Sequence, residues 1–443
     1  MFFVVSGVGH DIKLCFAQEI AYCIFIYNNT QNIFLYIQKV CYIVLCNKPM
    51  AVDINEEKIQ NLLTRNVEEV FVKEDFEKEL RSGKELRIKL GIDPTGPKIH
   101  LGRAIPLRKL REFQKMGHKI VLVIGDFTAQ IGDASDKTEK RPFLTRLQID
   151  DNLKDYKNQI GKIIDLSKTE IVYNSDWLSK LTFREITELA EIFTVQQMLA
   201  RRNFSDRYDE GIEISLREFL YPLMQGYDSH AIKSDAEIGG FDQLFNLKAG
   251  RDIQDYYNEK KQSIMNLEML EGTDGRKMST SWGNIITIVD EPSDMFGKIM
   301  SMKDELILKY FRLCTDKTIE EIKVYEERLK SENPKDIKME LGEEIVKLYH
   351  SEKLAKQAKQ NFIEVFQNKG LPDQIPEIVA AEGDLYSDVV VKSKIVESKA
   401  EWKRLVEQNA ILKEDDTVIT DYKAKAENGI IKIGKRRFLK IRI

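Results

Sequence analysis

Residues 86–126 read LRIKLGIDPTGPKIHLGRAIPLRKLREFQKMGHKIVLVIGD, and this stretch decides the fold. Its first residues alternate apolar and polar side chains, which predicts a β-strand. A turn follows at 93–97, then an apolar helical pattern that Gly117 is placed to cap, then a buried-type strand at 121–124. Strand, helix and strand in this order form a βαβ unit, which predicts a parallel sheet with helices on its faces.

The rest of the chain extends this pattern and then departs from it. Further strands are expected at 171–173, 236–238 and 264–269, with helices between them. From about residue 293 the character of the chain changes. Apolar residues recur at helical spacing from Ile337 to Leu348, just after the Asn333-Pro334 turn, which predicts a helical domain. The end of the chain predicts a helix at 398–408 and a β-rich tail through Ile430, Ile433, Phe438 and Ile441. We therefore expect an α/β domain, a helical domain and a small α+β domain.

Composition narrows the class of protein. The chain has 443 residues, of which 42% are hydrophobic and 32% charged, so it can bury sizeable cores and is not globally disordered. The length suggests several domains. The formal net charge of -4 argues against a protein that coats nucleic acid by bulk charge, so any nucleic-acid contact must be local.

The first 49 residues differ from everything after them. Four of the 5 cysteines lie there, and only Cys314 follows, which fits a reducing compartment and predicts a cytoplasmic protein. The early cysteines form no CxxC pair, so a zinc site is not expected. A basic start, as in a secretory signal, is absent, and polar residues at 28–32 interrupt the longest apolar stretch, so no membrane span is expected. We expect residues 1–49 to be upstream sequence before a working start at Met50, or a poorly ordered extension; a targeting or docking segment is the alternative.

Two short motifs carry the chemistry. The first, Asp93-Pro-Thr-Gly-Pro-Lys-Ile-His-Leu-Gly-Arg103, places His100 and Gly102 where a strand turns into a helix, so that a helix N-terminus can meet phosphate. The second, Lys277-Met-Ser-Thr-Ser281, places a cation and hydroxyls on a glycine-rich loop that could close over a triphosphate. Each motif alone is weak, because a lone histidine is more often packed or capping. Together, on a βαβ scaffold, they point to nucleotide chemistry.

At this point the chain resembles a known family. The two motifs resemble the HIGH and KMSKS motifs of class I aminoacyl-tRNA synthetases, and the whole resembles bacterial tyrosyl-tRNA synthetases most closely. Matching segments lie at 125–128, 132–133, 221–228 and 239–243, and the resemblance covers about residues 50–443. It implies a Rossmann-like catalytic domain at 50–292, a helical anticodon-binding domain at 293–370, a linker at 371–384 and a small RNA-binding domain at 385–443. It also implies a two-step reaction in which tyrosine and ATP form tyrosyl-adenylate, and tRNA(Tyr) then takes the tyrosyl group.

The resemblance also implies residue roles. His100, Arg103, Lys277 and Thr280 would be catalytic, with His100 stabilising the α-phosphate and Lys277 gripping pyrophosphate. The implied ATP-binding residues are Gly91, Asp93, Thr95, His100, Gly102, Asp242, Lys277, Met278, Ser279, Thr280 and Ser281, with Lys137 and Arg141 on a basic pyrophosphate loop. The implied tyrosine-binding residues are Asp133, Tyr221 and Gln225 for the α-amino group, Asp228 for the phenol, and Gln243 nearby.

Asp228 is the residue on which substrate specificity is expected to depend. A buried acceptor for the phenol O–H is left unpaired when phenylalanine binds, and this family is itself the usual example of that discrimination. Tyr221, Gln225 and Asp228 have spacings that put them on one helix face. Such a face is more often solvated, but beside the two motifs we expect it to bind substrate.

The chain departs from the family pattern at three positions. Arg103 replaces the second histidine of HIGH, Thr280 replaces a lysine of KMSKS, and Lys89 stands where many relatives place a tyrosine that contacts the phenol. Arg276, just before the second motif, is a candidate to compensate for the missing lysine. A tryptophanyl-tRNA synthetase and a weakly catalytic RNA-binding paralogue are the alternatives that the sequence leaves open.

Cofactors and partners follow from the same resemblance. Mg²⁺ would arrive with ATP, without a dedicated protein metal site. The expected partners are tRNA(Tyr), L-tyrosine, ATP and a second copy of the chain in a homodimer, with no membrane. The tail from 430 to 443 is rich in basic residues and contains no acid, so Lys435, Arg436 and Arg437 are expected to contact RNA phosphate.

Overall fold

The structure is a computed structural model that describes residues 51–133, 144–366, 375–414, 417–434 and 437–443. A six-stranded sheet forms its centre, in the order β1-β6-β5-β2-β3-β4. The only antiparallel pair is β1 with β6, and every other neighbour is parallel. The strands are β1 (Val67–Phe71), β2 (Arg87–Ile92), β3 (Lys119–Ile124), β4 (Thr169–Tyr173), β5 (Ala236–Gly240) and β6 (Ser263–Leu267). The parallel sheet predicted from the βαβ unit is therefore confirmed.

Strand β2 differs from its predicted alternation in one respect. Ile88 and Leu90 are buried as expected, but Lys89 between them is also fully buried. The reason is topological, because β2 lies inside the sheet between β5 and β3 and helices cover both faces. A polar residue on such a strand faces protein, and it needs an internal partner.

Helices connect the strands and cover the sheet. They are α1 (Glu56–Thr64), α2 (Lys73–Arg81), α3 (Leu101–Lys115), α4 (Thr128–Ile131), α5 (Arg146–Leu153), α6 (Tyr156–Gly161), α7 (Ser175–Leu178), α8 (Phe183–Ala190), α9 (Val195–Leu199), α10 (Arg202–Asp209), α11 (Leu216–Ala231) and α12 (Leu244–Tyr256). Helix α3 is the crossover helix that the sequence predicts. His100 is its N-cap, and Gly117 follows its end with a φ of 90°.

Helices α11 and α12 pack closely because glycines lie at their contact. A Cβ on Gly226 of α11 would come within 2.9 Å of the Ala249 backbone, and one on Gly250 of α12 would lie 2.8 Å from the Ser229 hydroxyl. Contacts that short force the neighbour to move. This close packing brings the polar side chains of α11 against β2 and β5.

A helical region follows the sheet. It consists of α13 (Pro292–Met300), α14 (Ile307–Cys314), α15 (Ile319–Arg328), α16 (Pro334–Tyr349) and α17 (Glu352–Phe366). Asn333 caps α16 through the Lys335 N–H, as the Asn-Pro turn suggests, and Ile337, Leu341 and Ile345 are buried. These residues belong to the same hydrophobic core as Leu90 of the sheet, so both regions share one core.

The C-terminal region has a second core of its own, centred on the fully buried Trp402. Its four strands run in the order β7-β10-β9-β8. The elements are β7 (Glu377–Val379), α18 (Tyr386–Lys392), α19 (Lys399–Glu407), β8 (Ile411–Lys413), β9 (Gly429–Ile433) and β10 (Arg437–Arg442). Strand β7 pairs in parallel with β10, so it belongs to this sheet. Its residues lie inside the segment 371–384 that was expected to be a linker.

Some expectations fall beyond these described ranges. Residues 1–49 and the first part of the expected linker, 371–374, lie outside the described residues. Within the described ranges, no helix is both long and apolar enough to cross a bilayer.

Candidate active site

A cleft of about 560 Å³ opens at the carboxyl ends of the parallel strands. Ligands bind at this edge in open α/β sheets, because loops and helix N-termini converge there. Predicted residues from both motifs and from α11 line it together: Gly91, Asp93, Thr95, His100, Gly102, Arg103, Asp133, Tyr221, Gln225, Asp228, Asp242, Gln243, Lys277, Met278, Ser279 and Thr280. Segments far apart in sequence thus form one site.

Five predicted site residues need separate mention. Lys137, Arg141, Lys435 and Arg436 lie outside the described residues. Ser281 lies in the short 3₁₀ turn Thr280–Trp282 that ends the second motif.

Backbone hydrogen bonds join the first motif to the segment that follows the second motif. The Leu101 N–H donates to the Ile286 carbonyl at 2.9 Å, and the Ile288 N–H donates to the Ile99 carbonyl at 2.9 Å. A Cβ on Gly102 would lie 3.2 Å from the His100 ring and 3.8 Å from the Met278 Cβ. Gly102 therefore leaves room for the histidine where the two motifs meet.

His100 is both a capping residue and a cleft residue. Its Nδ1 accepts a hydrogen bond from the Arg103 N–H at 3.3 Å. Burial, together with the nearby positive charges of Arg103 and Lys277, lowers the pKa of His100 to about 3. The ring is therefore neutral at physiological pH, and with Nδ1 accepting, its proton is on Nε2. His100 thus offers the cleft a neutral N–H donor.

Arg103, which replaces the second histidine of HIGH, is held by three neighbouring groups. Its guanidinium donates to the Thr95 hydroxyl at 2.6 Å, to the Tyr156 hydroxyl at 2.9 Å and to the Asp93 carbonyl at 3.5 Å. All three acceptors are uncharged, so its positive charge is not neutralised by these contacts. This arrangement gives the cleft a fixed cation beside the neutral His100.

Lys277 of the second motif spans the cleft. Its ammonium contacts the Asp242 carboxylate at 3.0 Å, and both side chains keep partial exposure, 30% and 23%. Arg276 points elsewhere, because it pairs with Asp274 at 2.6 Å and its guanidinium stacks 4.9 Å from the Trp282 ring centroid. The expected compensation for Thr280 by Arg276 is therefore not present in this arrangement.

Asp93 ties α11 to the loops at the strand ends. It accepts the Thr128 hydroxyl at 2.7 Å and the Tyr221 hydroxyl at 2.9 Å. A Cβ on Gly125 would lie 1.9 Å from the Asp93 carboxylate, so only glycine fits there. The proton of Tyr221 is directed at Asp93, and its oxygen acts as an acceptor.

Asp133 and Gln243 form a second pair. The Gln243 amide donates to Asp133 at 2.6 Å, while its carbonyl accepts from Asn246 at 2.9 Å. The sequence placed Gln243 near Asp228, whereas its hydrogen bonds join it to Asp133. Gln243 therefore contacts the residue expected to bind the α-amino group.

Asp228 is buried, and it accepts hydrogen bonds from Asn174, which follows β4, and from Trp177 of α7. Trp177 Nε1 donates to it at 2.8 Å, and the Asn174 amide donates at 3.3 Å. Burial raises the pKa of Asp228 to about 7, and nearby Lys89 opposes that rise. Sequence reasoning missed Asn174 and Trp177. Their signal was position, because both follow a strand at the carboxyl edge of the sheet.

Lys89 lies behind the wall of the cleft. It pairs with Glu237 of β5 at 3.0 Å, and both side chains are fully buried, at 0% and 1% exposure. Glu237 lines the cleft, whereas Lys89 is not among its lining residues. The position on β2 where many relatives place a tyrosine is thus occupied by Lys89, one member of an internal ion pair.

The basic tail is partly engaged in internal contacts. Arg437 donates to Glu401 at 2.9 Å and to the Ile395 carbonyl at 2.6 Å. Lys440 and Arg442 both pair with Glu377. Among the predicted RNA-contacting residues, the structure describes Arg437, and its hydrogen bond to Glu401 joins β10 to α19.

The fold and the cleft together define a class I tRNA synthetase. A family model described as tRNA synthetases class I (W and Y) matches residues 81–367. The tyrosine–tRNA ligase of Thermotoga maritima is 45% identical over 392 residues, which cover 87% of this chain and 97% of that protein. The tyrosine–tRNA ligase of Carboxydothermus hydrogenoformans is 45% identical over 410 residues, 88% of this chain and 99% of that protein. The chain belongs to the tyrosine–tRNA ligases of this family, which confirms the predicted family and enzyme class over the tryptophan alternative.

Solved structures support the fold. A tyrosyl-tRNA synthetase from Archaeoglobus fulgidus, crystallised with L-tyrosine, has a TM-score of 0.56 at 24% identity, covering 69% of this chain and all (100%) of that one. A truncated mitochondrial tyrosyl-tRNA synthetase from Aspergillus nidulans has a TM-score of 0.57 at 20% identity, covering 73% of this chain and 96% of that one. The predicted fold class is confirmed.

Proposed function

We propose that this chain activates L-tyrosine with ATP and transfers the tyrosyl group to the 3′-terminal ribose of tRNA(Tyr). The observation that carries the proposal is the single cleft in which His100, Lys277 and Asp228 meet. Phosphate-handling groups and a buried phenol acceptor are the two things that this reaction needs. Family membership supports the same reaction.

In the first step, a carboxylate oxygen of tyrosine attacks the α-phosphorus of ATP. A new P–O bond forms, the bond to the bridging oxygen breaks, and pyrophosphate leaves with the electron pair. No enzyme nucleophile is needed, so catalysis rests on positioning and on stabilising charge. The neutral His100 N–H donates to the α-phosphate, while Arg103 and Lys277 balance the negative charge.

ATP binding requires a rearrangement at Lys277. In this structure its ammonium contacts Asp242, the residue proposed to hold the ribose hydroxyls. Lys277 leaves Asp242 when it grips pyrophosphate, and Asp242 then accepts from the ribose. Mg²⁺ is proposed to enter with ATP, where it supplies charge neutralisation to the phosphates.

The amino acid is proposed to lie with its phenol at Asp228 and its ammonium at Asp133, Tyr221 and Gln225. Asp228 is an acceptor that Trp177 and Asn174 hold in place. Phenylalanine would leave that buried acceptor without a donor, which makes it a poor substrate. A carboxylate at Asp133 is the natural partner of an ammonium group.

In the second step, the ribose hydroxyl of tRNA attacks the tyrosyl carbonyl and AMP leaves. We propose that the helical region binds the anticodon and that the C-terminal region, from about residue 377, binds RNA. Because that region has its own core, removing residues 376–443 leaves the core of the catalytic region intact. Such a truncation is expected to preserve tyrosyl-adenylate formation and to weaken aminoacylation. Equal loss of both activities would contradict the proposed division.

We also propose a homodimer. Large apolar side chains are exposed together along α8–α11, with Phe183 at 82% and Leu216 at 80%. Exposed apolar surface of this kind marks an interface. Phe183→Glu with Leu216→Glu is expected to yield monomers by light scattering. Val324→Glu, at an exposed apolar position on α15, is the matched control and leaves the dimer intact.

Amino-acid-dependent ATP–pyrophosphate exchange tests the proposed reaction. Purified protein is expected to exchange with tyrosine and not with phenylalanine or tryptophan. Exchange with tryptophan alone would overturn the tyrosine assignment. No exchange with any amino acid would favour an RNA-binding paralogue.

A further inference from the structure

We infer that the buried ion pair between Lys89 and Glu237 fixes the side-chain amide of Gln225, so that Gln225 presents its carbonyl oxygen to the substrate ammonium. Lys89 and Glu237 would then be positioning residues for amino-acid recognition. This inference rests on the proposed function, because it assigns the ammonium site that tyrosine would occupy.

The ion pair is the centre of a buried hydrogen-bond network. The Lys89 ammonium donates to the Gln225 backbone carbonyl at 2.8 Å and to the Ser229 hydroxyl at 2.8 Å, and it contacts Glu237 Oε1 at 3.0 Å. Glu237 Oε2 accepts from Ser229 at 3.0 Å and from the Gln262 amide at 2.6 Å. Because an ammonium has three protons, these contacts use every donor of Lys89.

The orientation of the Gln225 amide follows from the charge on Glu237. Gln225 Nε2 lies 3.2 Å from Glu237 Oε1. An ionised carboxylate only accepts hydrogen bonds, so the amide atom that faces it must be the NH₂ group. The carbonyl oxygen at the other end of the amide is then the atom that Gln225, a cleft-lining residue, can offer to a ligand.

Lys89 is the counter-ion of Glu237. A buried carboxylate needs a partner, and the Lys89 ammonium lies 3.0 Å from it. The carboxylate oxygen that faces Gln225 accepts a hydrogen bond, so only one orientation of the Gln225 amide is compatible with the network. That orientation suits an ammonium ligand.

The same arrangement recurs at Tyr221. Its hydroxyl proton is directed at the Asp93 carboxylate, 2.9 Å away, so its oxygen acts as an acceptor. With the Asp133 carboxylate, the cleft therefore has three acceptors, two from α11 and one from the loop after α4. An ammonium group has three donors, which matches this set.

The test compares two ligands that differ only in the amine. Calorimetry measures binding of L-tyrosine and of 3-(4-hydroxyphenyl)propanoate, which keeps the phenol and the carboxylate. In Glu237→Gln, tyrosine is expected to bind about tenfold more weakly, while the analogue changes less than about twofold. The preference for tyrosine over the analogue therefore falls. A parallel weakening of both ligands would overturn the inference, because it would indicate general damage to the cleft.

The double variant Lys89→Met with Glu237→Gln separates positioning from stability. Removing one member of a buried pair leaves an unpaired charge, whereas removing both restores neutrality. The double variant is therefore expected to melt closer to wild type than Lys89→Met does, yet to keep the loss of preference for tyrosine. Recovery of stability together with ligand preference would mean that the pair is only structural.

Lys109→Met is the matched control. Lys109 on α3 is equally buried and contacts Glu112 at 2.6 Å, but it does not line the cleft. It is expected to lose stability and keep the ligand preference. If wild-type protein shows no tyrosine binding and no tyrosine-dependent exchange, the proposed function fails; if it shows both and Glu237→Gln keeps the wild-type preference, only this inference fails.

Discussion

The two ends of the cleft are built in opposite ways. At the phosphate end, Lys277 lies on a loop, is 30% exposed and contacts the Asp242 carboxylate, which we propose it leaves when ATP binds. At the amino-acid end, Lys89 and Glu237 lie on neighbouring strands of the sheet, with 0% and 1% exposure. Each polar group of that buried pair has its partners inside the protein.

The difference reflects what each end must do. Phosphate charge changes during the reaction, so mobile cations can follow it as pyrophosphate departs. An amino acid is selected by the cost of leaving a buried group unpaired, which requires groups that cannot move to find another partner. Rigidity therefore supports selection, and mobility supports the chemical step.

The largest effect is expected at the phosphate end. His100→Ala removes a donor to the α-phosphate and should lower the exchange rate by about 100- to 1000-fold. Tyrosine affinity, measured by calorimetry, should stay unchanged. His118→Ala is the control, because His118 is buried at the amino end of β3, away from the cleft, and accepts the Leu86 N–H. It should lose stability and keep its rate per folded molecule. A large loss of tyrosine affinity in His100→Ala would show that the two ends are not separate.

At the amino-acid end, Asp228→Asn keeps the size of the side chain and removes its charge. Tyrosine kcat/KM should fall about 10- to 100-fold, since a charge-assisted hydrogen bond to the phenol is lost. Phenylalanine activation should stay at its low level, so the preference for tyrosine over phenylalanine becomes smaller. ATP KM measured in the same assay is the internal control. A comparable rise in ATP KM would contradict the placement of Asp228 at the phenol.

The pH dependence should also separate the two ends. Burial raises the pKa of Asp228 to about 7, so below that pH its carboxyl holds a proton and is a weaker acceptor. Tyrosine affinity should therefore rise by up to about tenfold from about pH 6 to about pH 8, before the phenol itself titrates. His100 should contribute nothing in this range, because its pKa is about 3. Titration calorimetry on wild type and Asp228→Asn measures this, and a slope that persists in Asp228→Asn would exclude Asp228 as its source.

Sequence reasoning reached the phosphate end more fully than the amino-acid end. His100 and Lys277 lie in contiguous motifs, so local pattern was enough to single them out, and the family resemblance then implied their roles. Trp177 contacts Asp228, and Glu237 contacts Gln225, so both hold side chains that are proposed to bind the substrate. They come from separate strands and helices that only the fold brings together. No local pattern marks such a partner.

Lys89 illustrates the limit. Alternation along β2 predicted a strand, and the resemblance marked Lys89 as a departure at a position where many relatives have a tyrosine, with no role assigned to the lysine. Its partner Glu237 is distant in sequence and becomes adjacent only because β2 and β5 pair in register at these two residues. A buried lysine predicts that an acidic partner exists, but it does not identify which one.

The smallest effect is expected from Thr280→Lys, which adds a second lysine to the second motif. Thr280 is exposed and lines the cleft, so an added ammonium can approach pyrophosphate. Because this ammonium stays in contact with solvent, its attraction to pyrophosphate is weak. Pyrophosphate KM in the reverse reaction should fall about two- to fivefold, and tyrosine KM should not change. Thr280→Met controls for side-chain length without charge. Because Thr280 is exposed at the cleft, a gain should appear without any supporting change elsewhere. If Thr280→Lys instead weakens tyrosine binding, the second motif and the buried ion pair are coupled, and the two ends of the cleft are not separate.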